Sequence, residues 1–219
     1  MFEGKLFVID GTDGCGKETQ VKRLRETLEN SGYDVMTVSF PNYKSKTGQL
    51  IQNLNEGKLS VDPVELNPYV ASGMYALDRY VSYETGKWKP WLDAGGIVIM
   101  DRYVSSNIIH QATKLESRSE RGKLINWIYD LEYKKFNLPK PDVTVFLDVK
   151  PQVSKELLNG RGNNDLVERN YEYQRQCYER AREIAVISDW VVINCNTGNG
   201  IKSIDAIGRL VNDTVLDLL

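Results

Sequence analysis

Short apolar runs alternate with longer amphipathic segments along the whole chain. Five near-continuous runs of β-favouring residues are typical of strands that are buried on both faces of a parallel sheet. These runs cover residues 5–10, 33–40, 96–101, 142–148 and 190–194. Helical patterns fill the intervals, over about 65–94, over about 115–137, and from Lys17, Asp165 and Ser203 onward. The alternation predicts an α/β fold with a doubly wound, parallel five-stranded sheet flanked by helices.

Two of the predicted helices also show which face packs against the sheet. In the helix from Lys17, Val21, Leu24 and Leu28 follow the spacing i, i+3, i+7, and Gly32 lies where a left-handed cap is expected. In the helix from Asp165, one face is predicted to carry Val167, Tyr171, Tyr178, Ala181 and Ala185.

The composition excludes several classes of protein. The chain has 219 residues, of which 41% are hydrophobic and 26% charged, as expected of a globular protein and not of a disordered one. No repeat or linker is visible, so we expect a single domain over residues 1–219. The net charge of −2 argues against a nucleic-acid partner. The apolar runs are too short to span a membrane, and the N-terminus lacks the form of a signal peptide.

Cysteine and histidine are scarce, and this limits the metal and redox chemistry. The three cysteines form no Cys-x-x-Cys pair, so a disulfide scaffold or a structural zinc site is not expected. The single histidine, His110, excludes a multi-histidine metal site. A reducing, cytoplasmic location follows as the expectation.

The first predicted strand leads into the pattern Gly-x-x-x-x-Gly-Lys, which an amphipathic helix follows. Glycines in this arrangement let backbone amides turn toward a polyphosphate, and the positive end of the helix points to the same place. Lys17 would contact the β- and γ-phosphates of ATP. The alternative is a glycine-rich turn without a ligand. The predicted ATP-binding residues are Gly11, Thr12, Asp13, Gly14, Cys15, Gly16, Lys17, Glu18 and Thr19.

Two positions of this loop carry further expectations. The residue after the lysine is normally Ser or Thr, whose hydroxyl helps to hold magnesium, and here it is Glu18. Because Thr19 points elsewhere on a helix, other carboxylates must be considered for the metal. Inward-facing amides would lower the pKa of the Cys15 thiol, whereas a small loop residue without chemistry is the plainer interpretation.

A carboxylate and a guanidinium follow the third predicted strand. Asp101 ends that strand and Arg102 comes directly after it. Since ligands bind beyond the carboxyl ends of parallel strands, both side chains are expected near the phosphate loop. Asp101 would organise magnesium, directly or through water, and Arg102 would grip a second phosphate. A surface ion pair is the alternative.

Together with three further segments, these motifs resemble the thymidylate kinase family of nucleoside monophosphate kinases. The five segments are residues 10–17, Phe-Pro-Asn-Tyr at 40–43, Tyr-Ala-Leu-Asp-Arg at 75–79, Asp-Arg-Tyr-Val-Ser-Ser-Asn at 101–107 and Leu-Pro-Lys-Pro-Asp at 138–142. They occur in the order and spacing of the family. The resemblance implies a P-loop kinase fold and transfer of the ATP γ-phosphoryl group to dTMP with Mg²⁺, giving dTDP for nucleotide biosynthesis. It also implies a homodimer.

The resemblance assigns roles to single residues. Tyr75 matches the aromatic side chain that stacks on thymine, and Arg79, one helical turn later, matches the arginine that bonds the pyrimidine O4. For Ser106 a helix-capping role, and for His110 a packed neutral ring, are equal interpretations. The residues that match dTMP-binding positions are Asp13, Phe40, Tyr43, Tyr75, Arg79, Arg102, Ser106, Asn107, His110 and Gln111.

Phosphoryl transfer also calls for a guanidinium that reaches the transferring group when the site closes. Some relatives carry this arginine in the phosphate loop, where the present chain has Gly14. A lid over about 155–170 is therefore expected, with Arg161 between two glycines as its arginine, Arg169 as second candidate and a charged surface loop as the alternative. The predicted catalytic residues are Lys17, Arg102, Arg161 and Asp13, and the predicted metal-organising residues are Asp101 and Asp13, with Glu168 as a further candidate.

Two other functions stay open at this point. A deoxynucleoside kinase or a broader pyrimidine monophosphate kinase would use the same loop and a similar arginine. A nucleotide-binding sensor or pseudokinase is the non-enzymatic alternative, and Glu18 is the feature in its favour.

Overall fold

A computed structural model of the chain describes residues 4–160, 165–198 and 200–219. Within these residues, five parallel strands form one sheet in the order β2-β3-β1-β4-β5. The strands are β1 Lys5–Asp10, β2 Val35–Ser39, β3 Ile97–Asp101, β4 Val143–Asp148 and β5 Val191–Asn194. The prediction of a doubly wound parallel sheet is confirmed, since β3 and β4 lie on opposite sides of β1.

Helices connect the strands and cover both faces of the sheet. They are α1 Lys17–Asn30, α2 Lys46–Asn55, α3 Pro68–Thr85, α4 Trp88–Asp93, α5 Val104–Thr113, α6 Arg118–Tyr129, α7 Pro151–Asn159, α8 Leu166–Arg169, α9 Tyr171–Ile187 and α10 Ile204–Leu216. A π-helical segment, Asp130–Lys135, continues α6. Among the described helices, none is long and apolar enough to cross a membrane.

Alternate residues of the central strand pack into two separate cores. Phe7 and Ile9 belong to the core that includes Leu24 of α1 and Val211 of α10. Leu6 and Val8 belong to the opposite core, which α4, α5 and α6 complete. A strand buried on both faces needs apolar residues at every position, which explains the unbroken run that predicted it.

The helix predictions needed three kinds of correction. The stretch over 65–94 forms two helices that are separated after Thr85, and the helix from Asp165 is interrupted at Asn170, whose ψ is 85°. Ala181 and Ala185 are buried in α9 as predicted, but Tyr171 and Tyr178 are only partly buried, and Tyr173 and Cys177 take the inner positions instead. Three helices were not predicted: α2, α5 and α7. Val21, Leu24 and Leu28 are buried, and Gly32 has φ 88°, as expected.

The register of the sheet brings the two functional strand ends together. Ile9 of β1 lies opposite Asp101 of β3, and the Arg102 amide donates to the Ile9 carbonyl oxygen at 3.2 Å. The loop after β1 and the segment after β3 therefore leave the sheet side by side, at the edge where α/β sheets bind ligands.

Candidate active site

A cavity of about 280 Å³ lies beyond the carboxyl ends of β1, β2 and β3. The phosphate loop, α3, α5 and the start of α8 complete its walls. It is lined by all of the residues that match dTMP-binding positions: Asp13, Phe40, Tyr43, Tyr75, Arg79, Arg102, Ser106, Asn107, His110 and Gln111. The remaining metal candidates, Asp101 and Glu168, line the same cavity. Residues that are far apart in the sequence thus meet at one site.

The phosphate loop enters α1 through glycines in conformations that other residues rarely adopt. Gly16 precedes α1 with φ 88°, and it lines the cavity together with Gly14, Lys17 and Glu18. Lys17 is buried, and its Nζ donates to the carbonyl oxygens of Gly11 and Thr12 at 2.9 and 2.8 Å. The ammonium group is therefore held over the loop, where it would exchange these carbonyls for phosphate oxygens.

Gly14 must be glycine in this fold. Its φ is 77°, and a Cβ atom there would lie 2.6 Å from the carbonyl oxygen of Ser154 in α7. Neither the backbone conformation nor the packing admits a side chain. This position therefore cannot carry the arginine that some relatives have in the loop, and the expectation of a lid arginine stays a prediction.

Cys15 does not have the lowered thiol pKa that was one of its two interpretations. The residue is buried, and burial raises the pKa of its thiol above the ordinary value, although Lys17 and Arg102 oppose this. It packs into the core that α1 and α10 share. Cys15 is therefore a small structural residue of the loop.

Magnesium would find one favourable carboxylate here and not a preformed cage. Among the described residues, no group of three or more histidine, cysteine or acidic side chains is arranged to hold a metal. Asp101 lines the cavity, and its pKa is raised by burial, which Lys17 and Arg102 oppose. Since Mg²⁺ is commonly held by one or two carboxylates together with phosphates and water, Asp101 fits this role. Glu18 is exposed in the first turn of α1.

Arg102 projects from a strained backbone into a charged contact. Its φ is 67°, a left-handed conformation that is uncommon outside glycine and often marks a functional site. Its guanidinium is paired with Asp13 and lies 3.3 Å from the Ser106 hydroxyl. The backbone turn after β3 and the carboxylate of the phosphate loop together aim this side chain into the cavity.

Asp13 is held as a carboxylate on both of its oxygens. Oδ1 accepts from Arg102, and Oδ2 accepts from Gln174 Nε2 at 2.7 Å. Burial alone would raise the pKa of Asp13, but Arg102, with smaller contributions from His110 and Lys17, holds it well below the ordinary value. Each Asp13 oxygen thus already accepts one hydrogen bond from a neighbouring side chain.

Ser106 neither caps α5 nor extends freely into the cavity. The residue before α5 is Tyr103, and the Ser106 hydroxyl donates to Asp10 Oδ1 at 2.7 Å. Ser105 donates to the other oxygen of the same carboxylate. Asp10, buried at the end of β1, therefore ties the start of α5 to the phosphate loop.

Two tyrosines and a phenylalanine form the aromatic wall. The Tyr75 hydroxyl donates to Asn55 Oδ1 at 3.2 Å, and burial raises the pKa of Tyr75 well above its ordinary value. Tyr43 is partly exposed, and burial raises its pKa to about 12. Phe40, which precedes a cis proline, is buried beside the ring of Tyr103. Both phenols stay protonated at neutral pH.

Arg79 lies in a fully buried ion pair that the sequence did not reveal. Its Nε and Nη2 donate to the two oxygens of Glu132 at 2.5 and 2.6 Å. Asn107 Nδ2 donates to the same carboxylate at 3.0 Å and to the Ser72 carbonyl oxygen at 3.2 Å. Asn107 Oδ1 and Gln111 Oε1 are buried without a hydrogen-bond partner within the described part of the chain. Both residues line the cavity, so a donor from a ligand or a water molecule there would satisfy these acceptors.

His110 is packed against its neighbours and also lines the cavity, and its role beside a nucleotide stays a prediction. Its ring stacks on Tyr173 at 6.1 Å between centroids, and Nδ1 lies 3.7 Å from the Cys177 sulfur. Burial lowers the pKa of His110 to about 4, although Asp13 opposes this. The imidazole is therefore neutral at physiological pH.

The lid prediction falls partly on residues outside the described ranges. Arg161 is one of them, so its role stays a prediction. On the two sides of it, α7 packs over Gly14, and α8 begins with a capping box between Asp165 and Glu168. Burial raises the pKa of Asp165 to about 6. Arg169, the second candidate, lines a smaller neighbouring cavity next to Thr12 and Asp13.

Four residues that position the site were missed. Glu132 follows Ile125 and Ile128 on one helical face, so a carboxylate on an otherwise apolar face was the available signal. Asp78 accepts hydrogen bonds from the Asn42 amide and the hydroxyls of Ser45 and Thr47, and so fixes the segment after β2. Asn55 lies on α2, which was not predicted. Gln174 is a buried polar residue of α9 that the predicted apolar face did not include.

Comparisons with known proteins agree with this geometry. The family model described as Thymidylate kinase matches residues 9–205. The chain is 28% identical over 207 residues to the thymidylate kinase of Mycobacterium tuberculosis (strain H37Rv), with 89% of this chain and 94% of that protein covered. It is 30% identical over 220 residues to a probable thymidylate kinase of Thermococcus gammatolerans, with 97% and 98% covered. With a probable thymidylate kinase of Thermococcus kodakarensis it shares 32% identity over 183 residues, which cover 82% and 83%. The chain belongs to the thymidylate kinase family and is a nucleoside monophosphate kinase.

Proposed function

We propose that the protein transfers the γ-phosphoryl group of ATP to dTMP, giving ADP and dTDP. The observation that carries this proposal is the composition of one cavity. A cationic region, formed by Lys17, Arg102 and the phosphate loop, is joined to a region where Tyr75, Arg79 and Asn107 offer an aromatic ring, a donor and an acceptor. We call these the phosphate region and the base region.

The base region suits a thymine ring. The free acceptor of Asn107 would take the N3–H of thymine, and the guanidinium of Arg79 would donate to O4. Tyr75 lies on the same helix as Arg79, one turn earlier, and would stack on the ring. Gln111 and His110 line the same cavity and would contact the base edge and the sugar.

The phosphate region suits two phosphorylated substrates. Lys17 and the loop would hold the phosphates of ATP, while Arg102 would hold the acceptor phosphate with its planar fork. An acceptor phosphate oxygen is already ionised at neutral pH, so the reaction needs no general base. Catalysis then depends on positioning and charge neutralisation.

Magnesium is proposed as the ion that accompanies ATP. Asp101 would organise it, mostly through water, while Asp13 would act from a greater distance because both of its oxygens are engaged. The ion would neutralise charge on the transferring group. Glu168 stays a further candidate because it lines the same cavity.

The segment 155–170 is proposed to act as a lid. Arg161 would supply the guanidinium that Gly14 cannot, and Arg169 is the alternative. Charge that arrives on closure would act on the transition state more than on the bound substrates.

The assembly and the cellular location are also proposals. Four large apolar or aromatic side chains of α3 are exposed, namely Tyr69, Val70, Leu77 and Tyr80. They support a homodimer through the helix that carries Tyr75 and Arg79. The three cysteines are free thiols, which suits a reducing cytoplasm.

One coupled assay of ADP formation tests the proposal. The wild-type protein is given ATP, Mg²⁺ and one acceptor at a time: dTMP, dUMP, dCMP, dGMP or thymidine. We expect dTMP to be the preferred acceptor, and equal rates with dGMP would contradict this. A preference for thymidine would indicate a deoxynucleoside kinase, and ATP binding without ADP formation from any acceptor would indicate a sensor or pseudokinase.

A further inference from the structure

Glu132 lies outside the cavity but contacts two of the side chains that face into it. It has no exposed surface, and it comes from the π-helical segment that continues α6. Its carboxylate receives Arg79 Nε on one oxygen and both Arg79 Nη2 and Asn107 Nδ2 on the other. One carboxylate therefore organises the polar pair of the base region.

The chemistry of a carboxylate fixes the orientation of the Asn107 amide. An ionised carboxylate only accepts hydrogen bonds, so the Nδ2 end of Asn107 must face it. The Ser72 carbonyl oxygen, a second acceptor, holds the same end. Oδ1 is left as the atom without a partner among the described residues. Of the two ends of this cavity-lining amide, only the acceptor is therefore left for a ligand.

The same carboxylate also determines which hydrogen-bond donors of Arg79 are left for a ligand. Two of the three guanidinium nitrogens are engaged by Glu132, which leaves Nη1 without a protein partner in the described part of the chain. The fork geometry of a bidentate pair also sets the plane of the guanidinium. Arg79 can present only N–H groups to the cavity, because arginine has no acceptor.

We infer that Glu132 is a positioning residue that sets base specificity by fixing a donor at Arg79 beside an acceptor at Asn107. This inference rests on the proposed function, since it concerns the base of the acceptor nucleotide. A thymine or uracil edge offers the complementary O4 acceptor and N3–H donor. A cytosine edge offers an amino donor and an N3 acceptor, so it meets like groups at both positions. The discrimination between bases thus depends on Glu132, a residue that does not itself line the cavity.

Glu132→Gln tests the inference with almost no change in shape. An amide has one oxygen and one NH₂ group, so whichever way it turns, an N–H of Arg79 or Asn107 faces another N–H. The dissociation constants of dTMP, dUMP and dCMP are measured by titration calorimetry for the wild type and the variant. We expect the dTMP preference over dCMP to fall by about tenfold or more, on the scale of one base-specific pair of hydrogen bonds. The ratio of dTMP to dUMP should not change, because both bases present the same edge.

Two further variants separate specificity from structural damage. Glu132→Asp keeps an acceptor-only group, and we expect it to keep the wild-type ratio of dTMP to dCMP even if binding weakens. Asp78→Asn is the matched acid-to-amide change at a buried carboxylate of α3 whose hydrogen bonds in the described structure go to Asn42, Ser45 and Thr47 and not to Arg79 or Asn107. We expect it to weaken all three nucleotides equally.

A folded Glu132→Gln variant that keeps the wild-type ratio would overturn the inference. If that variant does not fold, the double variant Arg79→Met/Glu132→Leu replaces it, since it leaves no buried charge unpaired. We expect its ratio to fall at least as far, and an unchanged ratio would again overturn the inference.

Turnover of dTMP by the wild type is recorded separately. Absence of turnover counts against the proposed function, whereas the binding ratios decide the role of Glu132. A wild type that binds dTMP and dCMP equally would overturn the inference whatever its turnover.

Discussion

Two arginines line the cavity, and each is held by a carboxylate in a different way. Arg102 stands directly after β3 in a left-handed backbone conformation, and it meets Asp13 from the neighbouring phosphate loop. Arg79 stands in the middle of α3, and it meets Glu132, 53 residues later in the chain. The side chain of Arg102 is 21% exposed, whereas that of Arg79 is 3% exposed. The phosphate region is thus set by local chain geometry at two strand ends, and the base region by packing between distant helices.

This contrast explains what the sequence could and could not predict. Gly11, Gly16 and Lys17 form the continuous pattern Gly-x-x-x-x-Gly-Lys after a strand, so the phosphate region could be predicted from a short stretch of sequence. Sheet register then placed Arg102 beside it. The partners Glu132 and Gln174 reach the site only through helix packing, and no local pattern specifies which turn of a helix faces the cavity.

The missed helices have a related cause. Helix α5 is buried almost all round: Val104, Ile108 and Ala112 pack into a core, while polar residues such as Ser106 and Asn107 line the cavity. Without an exposed polar face, the segment does not show the amphipathic pattern that predicts a surface helix. Helix α2 is capped by Ser45, whose hydroxyl accepts from the Gly48 amide, a cap that was not recognised.

The largest expected effect on activity comes from a substitution in the phosphate region. Lys17→Met should keep the fold and lower kcat by about two orders of magnitude or more, the scale of a lost electrostatic contact to the transition state. Steady-state rates and thermal unfolding are measured together. Lys22→Met, an exposed lysine on the same helix, is the control and should be active. Near-normal turnover of Lys17→Met would show that Lys17 of the phosphate loop does not contribute to catalysis.

The next variants test which carboxylate organises the metal. Asp101→Asn should lower activity on the order of a hundredfold, as expected for a lost electrostatic stabiliser near the transferring group. Glu18→Ala is the matched comparison, because it removes an exposed carboxylate from the same cavity. It should keep at least roughly a tenth of the activity, within the range of an indirect contact, and its magnesium requirement should not change. If Glu18→Ala lost more activity than Asp101→Asn and needed more magnesium, Glu18 would be the residue that holds the ion.

The two arginine pairs should also differ in their contribution to stability. Arg79→Met leaves Glu132 buried without its partner and should lower the free energy of unfolding by about 3–5 kcal/mol. Arg102→Met removes an ion pair that water partly reaches. The expected loss in the free energy of unfolding is about 1–3 kcal/mol. Denaturant unfolding measures both. Adding Glu132→Leu to Arg79→Met should recover most of the loss, and equal costs at the two sites would contradict the contrast.

The last expected effect is a pH dependence of stability that arises from His110. Burial lowers its pKa to about 4 in the folded state, from about 6.5 when unfolded. The stability that this provides is present above pH 6.5 and is lost as the pH falls toward 4, by about 3 kcal/mol. Between pH 7 and pH 4, the wild type should therefore lose about 3 kcal/mol more than His110→Phe. If the free energies of unfolding of the two proteins fell equally between pH 7 and pH 4, the imidazole would not be buried as described.

A crystal structure of the protein with bound dTMP tests the central claim most directly. We expect the phosphate on Arg102, O4 within about 3 Å of Arg79 Nη1, N3 within about 3 Å of Asn107 Oδ1, and the Glu132 contacts unchanged. A base that lies away from Arg79 and Asn107, or an Asn107 amide turned with Nδ2 toward N3, would contradict the account.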